Sequence, residues 1–405
     1  MKDASSSTVP DGPRVAVVAA VRTAIGRYLG ALAPRTAVGL GADAIGAALV
    51  QAGVAGEDVD EVMMGQARQA GCGPNPARQA AIRGGVAETA PAQTINQACA
   101  SGLQAVATAA DAIRSGRSRI AVAGGMESMT NVPFLVEGLR FGYRLGDRAL
   151  VDGMYRDGFL CPISDQLMGA TAETLAREFD IPRAEQDEYA ADTQRRCQEA
   201  REEGRFKAEI APIRVSDRKG HETLFETDEH PRDDVTAEGL AKLPPVFDEE
   251  NGTVHAGNSS GITDGAAALL LMSEDEAQTR DLTPLAFVGA AQVAGVDPAR
   301  MGIGPVPAVR NLLAATGRAV DDFDLIELNE AFAAQVLACD RELELPRDRL
   351  NVNGGAIALG HPIGCTGSRI TVTLLHEMAR RESRLGLATL CVSGGMGMAV
   401  AFERN

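Results

Sequence analysis

Cys99 stands where a thiol could act as a nucleophile. It follows Asn96-Gln97-Ala98, at the predicted junction of a strand and a helix. A thiol at a helix N-terminus lies near the positive end of the helix dipole, which favours the thiolate. Unpaired backbone N–H groups at the same place can hold an oxyanion. We therefore predict a nucleophile at Cys99, with a buried small residue at a crowded turn as the alternative.

His361 is one of only five histidines in the chain, and glycine-rich sequence surrounds it on both sides. The segment Gly360-His361-Pro362 predicts a tight, shaped loop and not a helix face. An imidazole of near-neutral pKa is a natural base to take a proton from a thiol. The alternative is a turn histidine that faces water.

Two further polar residues follow predicted strands. Cys391 ends an apolar strand just before Ser393-Gly394-Gly395, and its thiol could shuttle a proton; the alternative is a buried strand-end cysteine. Asn329 comes directly after the predicted strand 324–328, where it could fix a water or polarise a carbonyl. Its ordinary alternative is the N-cap of a helix.

An internal repeat indicates how these residues are positioned. Asp58–Met64 resembles Asp322–Leu328 at an offset of 264 residues, and Gly124-Gly125-Met126 recurs at Gly394 at an offset of 270. We interpret each glycine pair as a turn that follows a short apolar strand. Similar offsets over several elements indicate two similar halves. Their alternating strand and helix patterns predict an α/β fold with mostly parallel strands.

Helical periodicity is clearest in three segments. Apolar residues recur at helical spacing over 98–116 in the first half and over 367–381 in the second. Between the halves, roughly from 131 to 262, charges are frequent and the strand–helix rhythm is lost. We expect an inserted, mostly surface-lying segment there, with at least one helix at 168–178. Long insertions of this kind often carry binding functions, although a solvated cap is the alternative.

Composition narrows the possible partners and compartments. The formal net charge of −16 disfavours binding to nucleic acid or to anionic membranes. The seven cysteines include no C-x-x-C pair, so we expect neither disulfides nor a metal site. No apolar stretch is long enough for a membrane span, and the polar segment 1–13 does not resemble a signal peptide. We expect a cytoplasmic protein.

Several long blocks, in order, resemble the signature segments of the thiolase family. They span nearly the whole chain, from about Val15 to Glu403, and they include 96–102, 124–129, 255–265, 329–333, 360–362 and 391–397. The resemblance implies a five-layered α/β/α/β/α sandwich of two repeated halves with an inserted loop domain. The implied division is a first half at 1–131, continuing at 263–284, an inserted CoA-binding domain at 132–262, and a second half at 285–405.

The resemblance also implies a role for each candidate residue. Cys99 would be acylated, and His361 would activate it and form one oxyanion hole together with a water held by Asn329. Cys391 would move the proton at the attacking acetyl carbon. The backbone N–H groups of Cys99 and Ser393 would form the other oxyanion hole. No metal or cofactor is implied, because coenzyme A thioesters are the substrates.

The family resemblance extends to CoA contacts. It places one group of residues at the pantetheine arm: Ala256, Ser260, Met168, Met301 and Phe332. Arg218 and Lys219 are our candidates for the nucleotide phosphates, with a solvated charge pair as the alternative. Two positions depart from the family pattern. Ser393 replaces a usual glycine and would be strained if its backbone were left-handed. Leu167 replaces a histidine found in some acetoacetyl-CoA enzymes, which disfavours the short-chain biosynthetic subgroup.

Three functional interpretations remain open at this point. The main one is an acyltransferase that condenses two acetyl-CoA to acetoacetyl-CoA, or cleaves 3-ketoacyl-CoA, through acyl-Cys99. A longer-chain 3-ketoacyl-CoA thiolase of fatty acid β-oxidation would use the same residues. A non-catalytic relative that binds CoA or lipid is the third. A ketoacyl synthase is disfavoured, because Asn329 stands where those enzymes place a second histidine. The family forms dimers and tetramers, so we expect a homodimer or homotetramer.

Overall fold

A computed structural model describes residues 12–216 and 220–405 of the chain. One large sheet runs through the molecule, and three two-stranded sheets lie outside it. The strands are β1 Val15–Arg22, β2 Gly26–Arg27, β3 Glu61–Gly65, β4 Ala92–Ile95, β5 Ile120–Ser128, β6 Phe134–Leu135, β7 Val151–Asp152, β8 Leu160–Cys161, β9 Gln166–Leu167, β10 Ile213–Ser216, β11 Glu222–Phe225, β12 Thr263–Ser273, β13 Ala286–Gly295, β14 Leu325–Leu328, β15 Leu385–Val392 and β16 Met396–Glu403.

Helices cover both faces of the large sheet. The α-helices are α1 Ala37–Ala52, α2 Pro76–Arg83, α3 Ser101–Arg114, α4 Met168–Glu178, α5 Arg183–Glu202, α6 Ala237–Leu240, α7 Glu274–Thr279, α8 Pro305–Thr316, α9 Ala333–Leu343, α10 Ala356–Leu359 and α11 Ile363–Arg381. The three predicted helices therefore appear as α3, α11 and α4. Gly116, which has a φ of 73°, lies just after the end of α3, where a left-handed glycine commonly ends a helix.

The strand order confirms the two repeated halves. The first half reads β4-β3-β5-β12-β1 and the second reads β14-β15-β16-β13, so that β3, β5, β12 and β1 correspond to β14, β15, β16 and β13. The halves meet where Val15–Val17 pair with Ala286–Val288. The expectation of mostly parallel strands is wrong. Only β3/β4, β3/β5 and β14/β15 are parallel among the pairs of the large sheet described here, and the other pairs are antiparallel.

Three hydrophobic clusters lie between alternating layers of helices and sheet, which number five. One cluster joins α1 and α2 to the first half of the sheet, and another joins α8 and α9 to the second half. The third contains the apolar faces of α3 and α11, which pack between the two halves. Helix α3 approaches α11 closely because Gly102 has no side chain; a Cβ there would lie 2.7 Å from the backbone nitrogen of Ser368. The layering agrees with the predicted α/β/α/β/α sandwich.

A long connection distinguishes the first half from the second. Strands β5 and β12 are separated by residues 129–262, which is 262 − 128 = 134 residues, whereas β15 and β16 are separated by only 395 − 392 = 3. This difference supports the proposed inserted domain at 132–262. It holds α4, the 20-residue α5 and three short hairpins. None of the helices in the described part of the chain is both long and apolar enough to cross a membrane.

The two glycine pairs have different structures, which corrects one part of the repeat interpretation. Gly394 and Gly395 form the turn between β15 and β16 and have φ of 88° and 87°. Gly124 and Gly125 instead lie inside the buried strand β5. Glycine is needed there for space, since a Cβ at Gly125 would lie 2.2 Å from the carbonyl oxygen of Gly364 in α11.

Candidate active site

A cavity of about 230 Å³ opens where the two halves and the insertion meet. Cys99 comes from the start of α3, His361 from the loop before α11, and Cys391 and Ser393 from the end of β15 and the turn after it. All four line this cavity. The structure thus brings together residues that are up to 294 positions apart in the chain (393 − 99).

Cys99 is held in a strained turn. It lies in a 3₁₀ turn, Ala98–Ala100, that leads directly into α3. Ala98 has a φ of 46°, a left-handed conformation that is unfavourable for a residue with a side chain. Two side chains brace the turn: Asn96 accepts the Ala98 N–H at 3.0 Å, and the Ser101 hydroxyl donates to the Ala98 carbonyl at 2.6 Å. This bracing points the nucleophile candidate at the cavity in a defined way.

The protonation state of Cys99 differs from the expectation. Burial raises the pKa of the thiol above its ordinary value, although a hydrogen bond from the Ser393 backbone N–H and the charge of Arg68 lower it. Cys99 is therefore a thiol at rest. A base is needed to remove its proton.

His361 has the hydrogen-bonding pattern of such a base. The Thr366 hydroxyl lies 2.6 Å from His361 Nδ1 and donates its proton to the Pro362 carbonyl at 3.0 Å. Nδ1 must then be protonated and donate to the Thr366 oxygen. In a neutral imidazole this leaves Nε2 unprotonated, with a lone pair that can accept a proton. Burial, and then the charges of Arg369 and Arg68, lower the pKa of His361 to about 3. The imidazole is therefore neutral at physiological pH.

Cys391 and Asn329 lie deeper. Cys391 is fully buried, and burial together with the neighbouring Cys99 raises the pKa of its thiol well above the ordinary value. Asn329 does not line the cavity, but both polar atoms of its side chain are buried with no hydrogen-bond partner in the described chain. The N-cap alternative for Asn329 is wrong, because α9 begins at Ala333 with Phe332 as its cap residue.

Ser393 is accommodated without the strain that its sequence predicted. The positive φ values of the turn belong to Gly394 and Gly395, and Ser393 has none. Its backbone N–H points at the Cys99 sulfur, as the hydrogen bond between them requires. The replacement of the usual glycine therefore leaves this donor in place.

The predicted CoA contacts divide into three groups. Ser260, Met168, Met301 and Phe332 line the cavity. Ala256 is exposed and does not line it. Arg218 and Lys219 lie outside the described residues.

A buried network shapes the loop that carries Ser260. Asp187 on α5 accepts from His255 Nε2 at 2.7 Å and from the Asn258 side chain at 3.1 Å. Asn258 in turn accepts the His255 backbone N–H at 2.8 Å. The glycine- and serine-rich block 255–261 is thus fixed against α5. Ser259, whose hydroxyl donates to the His255 carbonyl at 2.8 Å, and Ser260 both line the cavity.

Three residues near the cavity were not recognised in the sequence. Glu127 in β5 accepts backbone N–H groups from Ala67 and Gly364 at 3.0 and 2.9 Å, which joins the first half to the start of α11. A glutamate in a glycine-rich apolar strand is a signal that could have found it. Thr366, about one turn after His361, gave no signal in the sequence because it lies within a helix. Arg68, which also lines the cavity, gave no signal because it is a single charged residue in a polar loop.

Comparison with known proteins agrees with this geometry. Residues 15–275 match the thiolase N-terminal domain, and residues 282–404 match the thiolase C-terminal domain. An acetyl-CoA acetyltransferase of Escherichia coli is 51% identical over 389 residues, which cover 96% of this chain and 98% of that protein.

Solved structures with the same fold include two kinds of enzyme. A Bacillus anthracis acetyl-CoA acetyltransferase has a TM-score of 0.95 at 45% identity, with 97% of this chain and 99% of that chain covered. Human mitochondrial 3-ketoacyl-CoA thiolase in complex with CoA has a TM-score of 0.93 at 42% identity, with 97% and 98% covered. The predicted family and fold class are confirmed, and this chain belongs to the thiolase family.

Proposed function

We propose that this protein transfers acyl groups between coenzyme A thioesters through an acyl-Cys99 intermediate. Its reaction would be the reversible condensation of two acetyl-CoA to acetoacetyl-CoA. The observation that carries the proposal is the meeting of two thiols, a neutral imidazole and a backbone N–H aimed at sulfur in one cavity. The 51% identity to an acetyl-CoA acetyltransferase supports the same reaction.

The first half-reaction would acylate Cys99. His361 Nε2 takes the thiol proton, and the Cys99 sulfur attacks the thioester carbonyl of the first acetyl-CoA. The backbone N–H groups of Cys99 and Ser393 would receive the negative charge on the carbonyl oxygen. The carbon–sulfur bond to CoA then breaks. Because Cys391 is protonated at rest, it can give its proton to the departing CoA thiolate and become a thiolate itself.

The second half-reaction would form the carbon–carbon bond. The Cys391 thiolate takes a proton from the methyl group of a second acetyl-CoA, and the resulting carbanion attacks the acyl-Cys99 carbonyl. Protonated His361, with a water held by the unpartnered Asn329 amide, would stabilise the enolate oxygen. Cys99 then leaves as a thiolate and recovers its proton from His361. Two acetyl-CoA yield acetoacetyl-CoA and one CoA, with protons in balance.

Several finer points belong to the same proposal. Ser260, Met168, Met301 and Phe332 would contact the pantetheine arm where it passes through the cavity, with Ala256 at its outer end. Arg218 and Lys219 remain the proposed contacts for the phosphates.

A homodimer or homotetramer in the cytoplasm is also proposed. Exposed apolar side chains on the insertion support an assembly, for example Phe141, which is 93% exposed, and Leu145, which is 90% exposed. Light scattering of the purified protein measures the assembly, and a monomer would contradict it.

Thiolysis rates against acyl chain length test the substrate class. A steep fall beyond acetoacetyl-CoA indicates the acetyltransferase, whereas sustained rates with longer 3-ketoacyl-CoA indicate the degradative enzyme. The test of catalysis itself is the mass of Cys99 after incubation with acetyl-CoA. An unmodified Cys99 would favour a non-catalytic CoA-binding protein.

A further inference from the structure

Arg68 carries a buried guanidinium that forms no direct ion pair with any carboxylate among the described residues. The residue is only 6% exposed, and its Nε is buried without a hydrogen-bond partner. Across residues 12–216 and 220–405, no carboxylate lies within ion-pair distance of its guanidinium. Glu127 is close enough for its charge to attract the guanidinium, but its oxygens accept the backbone N–H groups of Ala67, Arg68 and Gly364 and no hydrogen bond joins the two side chains. A buried guanidinium with an unsatisfied N–H and no direct ion pair is costly, so this arrangement favours an anionic ligand.

The guanidinium separates the catalytic cavity from a second one. Arg68 lines the Cys99 cavity and also an adjoining cavity of about 600 Å³, which Asn96, Cys161 and Ser393 help to line. The guanidinium occupies a space that depends on a glycine. It rests against Gly158 of the insertion, where a Cβ would lie 2.4 Å from Nη2 of Arg68. An exposed loop arginine would need no such space.

The position of Arg68 limits which anion could reach it. The phosphates of CoA are separated from its thiol by the whole pantetheine arm, whereas Arg68 lines the cavity at Cys99 itself. Within a CoA thioester, an anion that reaches Arg68 must therefore be carried by the acyl group. A planar guanidinium is suited to bind a carboxylate through two parallel hydrogen bonds.

We propose that the Arg68 cavity is an acyl subsite that binds a carboxylate at the far end of the acyl chain. The substrate class would be CoA thioesters of dicarboxylic acids, together with the corresponding 3-oxo-dicarboxylyl-CoA esters. The proposal rests on the proposed function, since the acyl group reaches this subsite by the same transfer from CoA sulfur to Cys99 sulfur. The bonds formed and broken are those of acetyl transfer.

The test compares acyl groups of equal shape and different charge. Acyl-Cys99 formation is followed by intact-protein mass spectrometry with succinyl-, glutaryl- and adipyl-CoA. Each is paired with the neutral ester in which two methyl groups replace the carboxylate oxygens, such as 5-methylhexanoyl-CoA for glutaryl-CoA. We expect at least one dicarboxylyl ester to react about tenfold or more faster than its neutral match. This comparison needs no variant protein.

Variants assign the preference to Arg68. We expect Arg68→Gln to reduce the ratio of dicarboxylyl to neutral rates about tenfold or more, and Arg68→Lys to restore part of it. Arg310→Gln is the control, because that arginine is 55% exposed and already paired with Glu342. It should leave the ratio at the wild-type value.

Two results would overturn the inference. One is a wild-type protein that prefers the neutral ester at every chain length. The other is an Arg68→Gln variant that slows both esters equally, since Arg68 would then act on the Cys99 sulfur and not on the substrate. Acetyl-CoA is included as a third donor. Failure of acetyl transfer to Cys99 would contradict the proposed function, whereas normal acetyl transfer without carboxylate preference would contradict only the subsite.

Discussion

The Thr366 hydroxyl offers a sharp test of how His361 is made a base. Its oxygen accepts from Nδ1 of His361 at 2.6 Å while its own proton goes to the Pro362 carbonyl at 3.0 Å. Thr366→Val keeps the shape of the side chain but removes both contacts. The buried Nδ1–H would then lack a partner, or the proton would move to Nε2, where it blocks proton uptake.

The expected loss follows from the cost of that unpaired group. A buried polar group without a partner costs about 1–3 kcal/mol. If the same cost is added to the activation free energy of Cys99 acylation, the rate falls by roughly 5- to 150-fold, since about 1.4 kcal/mol corresponds to a factor of ten. Single-turnover acylation by acetyl-CoA, quenched and read by mass spectrometry, measures this rate directly.

Two matched variants separate positioning from general damage. Thr371 lies on the same helix, is buried, and donates to the carbonyl four residues earlier at 2.8 Å, as Thr366 does. Thr371→Val should therefore leave the acylation rate near that of the wild type. Thr366→Ser restores the hydroxyl and should recover most of the rate. If Thr366→Val acylates at the wild-type rate, or if Thr366→Ser is equally slow, our account of His361 is refuted.

Three further predictions follow from single contacts. The pKa of His361 is lowered to about 3, so Nε2 stays unprotonated as pH falls, and the acylation rate should show no loss near pH 6.5; a pH–rate profile that falls with an ordinary histidine pKa would contradict this. Glu127→Gln should lower the free energy of unfolding by about 1–3 kcal/mol in urea denaturation, because an amide NH₂ would face either the Ala67 and Gly364 N–H groups, which share one oxygen, or the Arg68 N–H; an unchanged midpoint would show that these contacts are unimportant. Gly125→Ala places a Cβ 2.2 Å from the Gly364 carbonyl, so a markedly lower melting temperature is expected, and a melting temperature equal to that of the wild type would show that α11 can shift away.

The sequence predicted the helices better than it predicted the sheet. Apolar spacing located α3, α4 and α11 because these helices bury one face. Strand direction depends on connections, and the three-residue turn at Ser393–Gly395 allows only an antiparallel pair between β15 and β16. The pair Gly124-Gly125 was misread as a turn, because the close approach of α11 that requires glycine there is a tertiary contact.

Charge states were also beyond the reach of the sequence. The strand–helix junction correctly placed Cys99 at a helix start, but only the folded chain shows that burial raises the pKa of its thiol despite the Ser393 hydrogen bond and the charge of Arg68. Nothing in the local sequence distinguishes Arg68 from an ordinary solvated arginine. Its burial becomes visible only in the folded chain, where the guanidinium packs against Gly158, ninety positions later in the sequence (158 − 68).

The most direct test of the central claim separates the two thiols. Wild type, Cys99→Ala and Cys391→Ala are incubated with acetyl-CoA, and both protein mass and acetoacetyl-CoA are measured. We predict one acetyl group on Cys99 in the wild type and in Cys391→Ala, none in Cys99→Ala, and acetoacetyl-CoA from the wild type alone. Acetylation that persists in Cys99→Ala, or acetoacetyl-CoA formation by Cys391→Ala at the wild-type rate, would contradict the account.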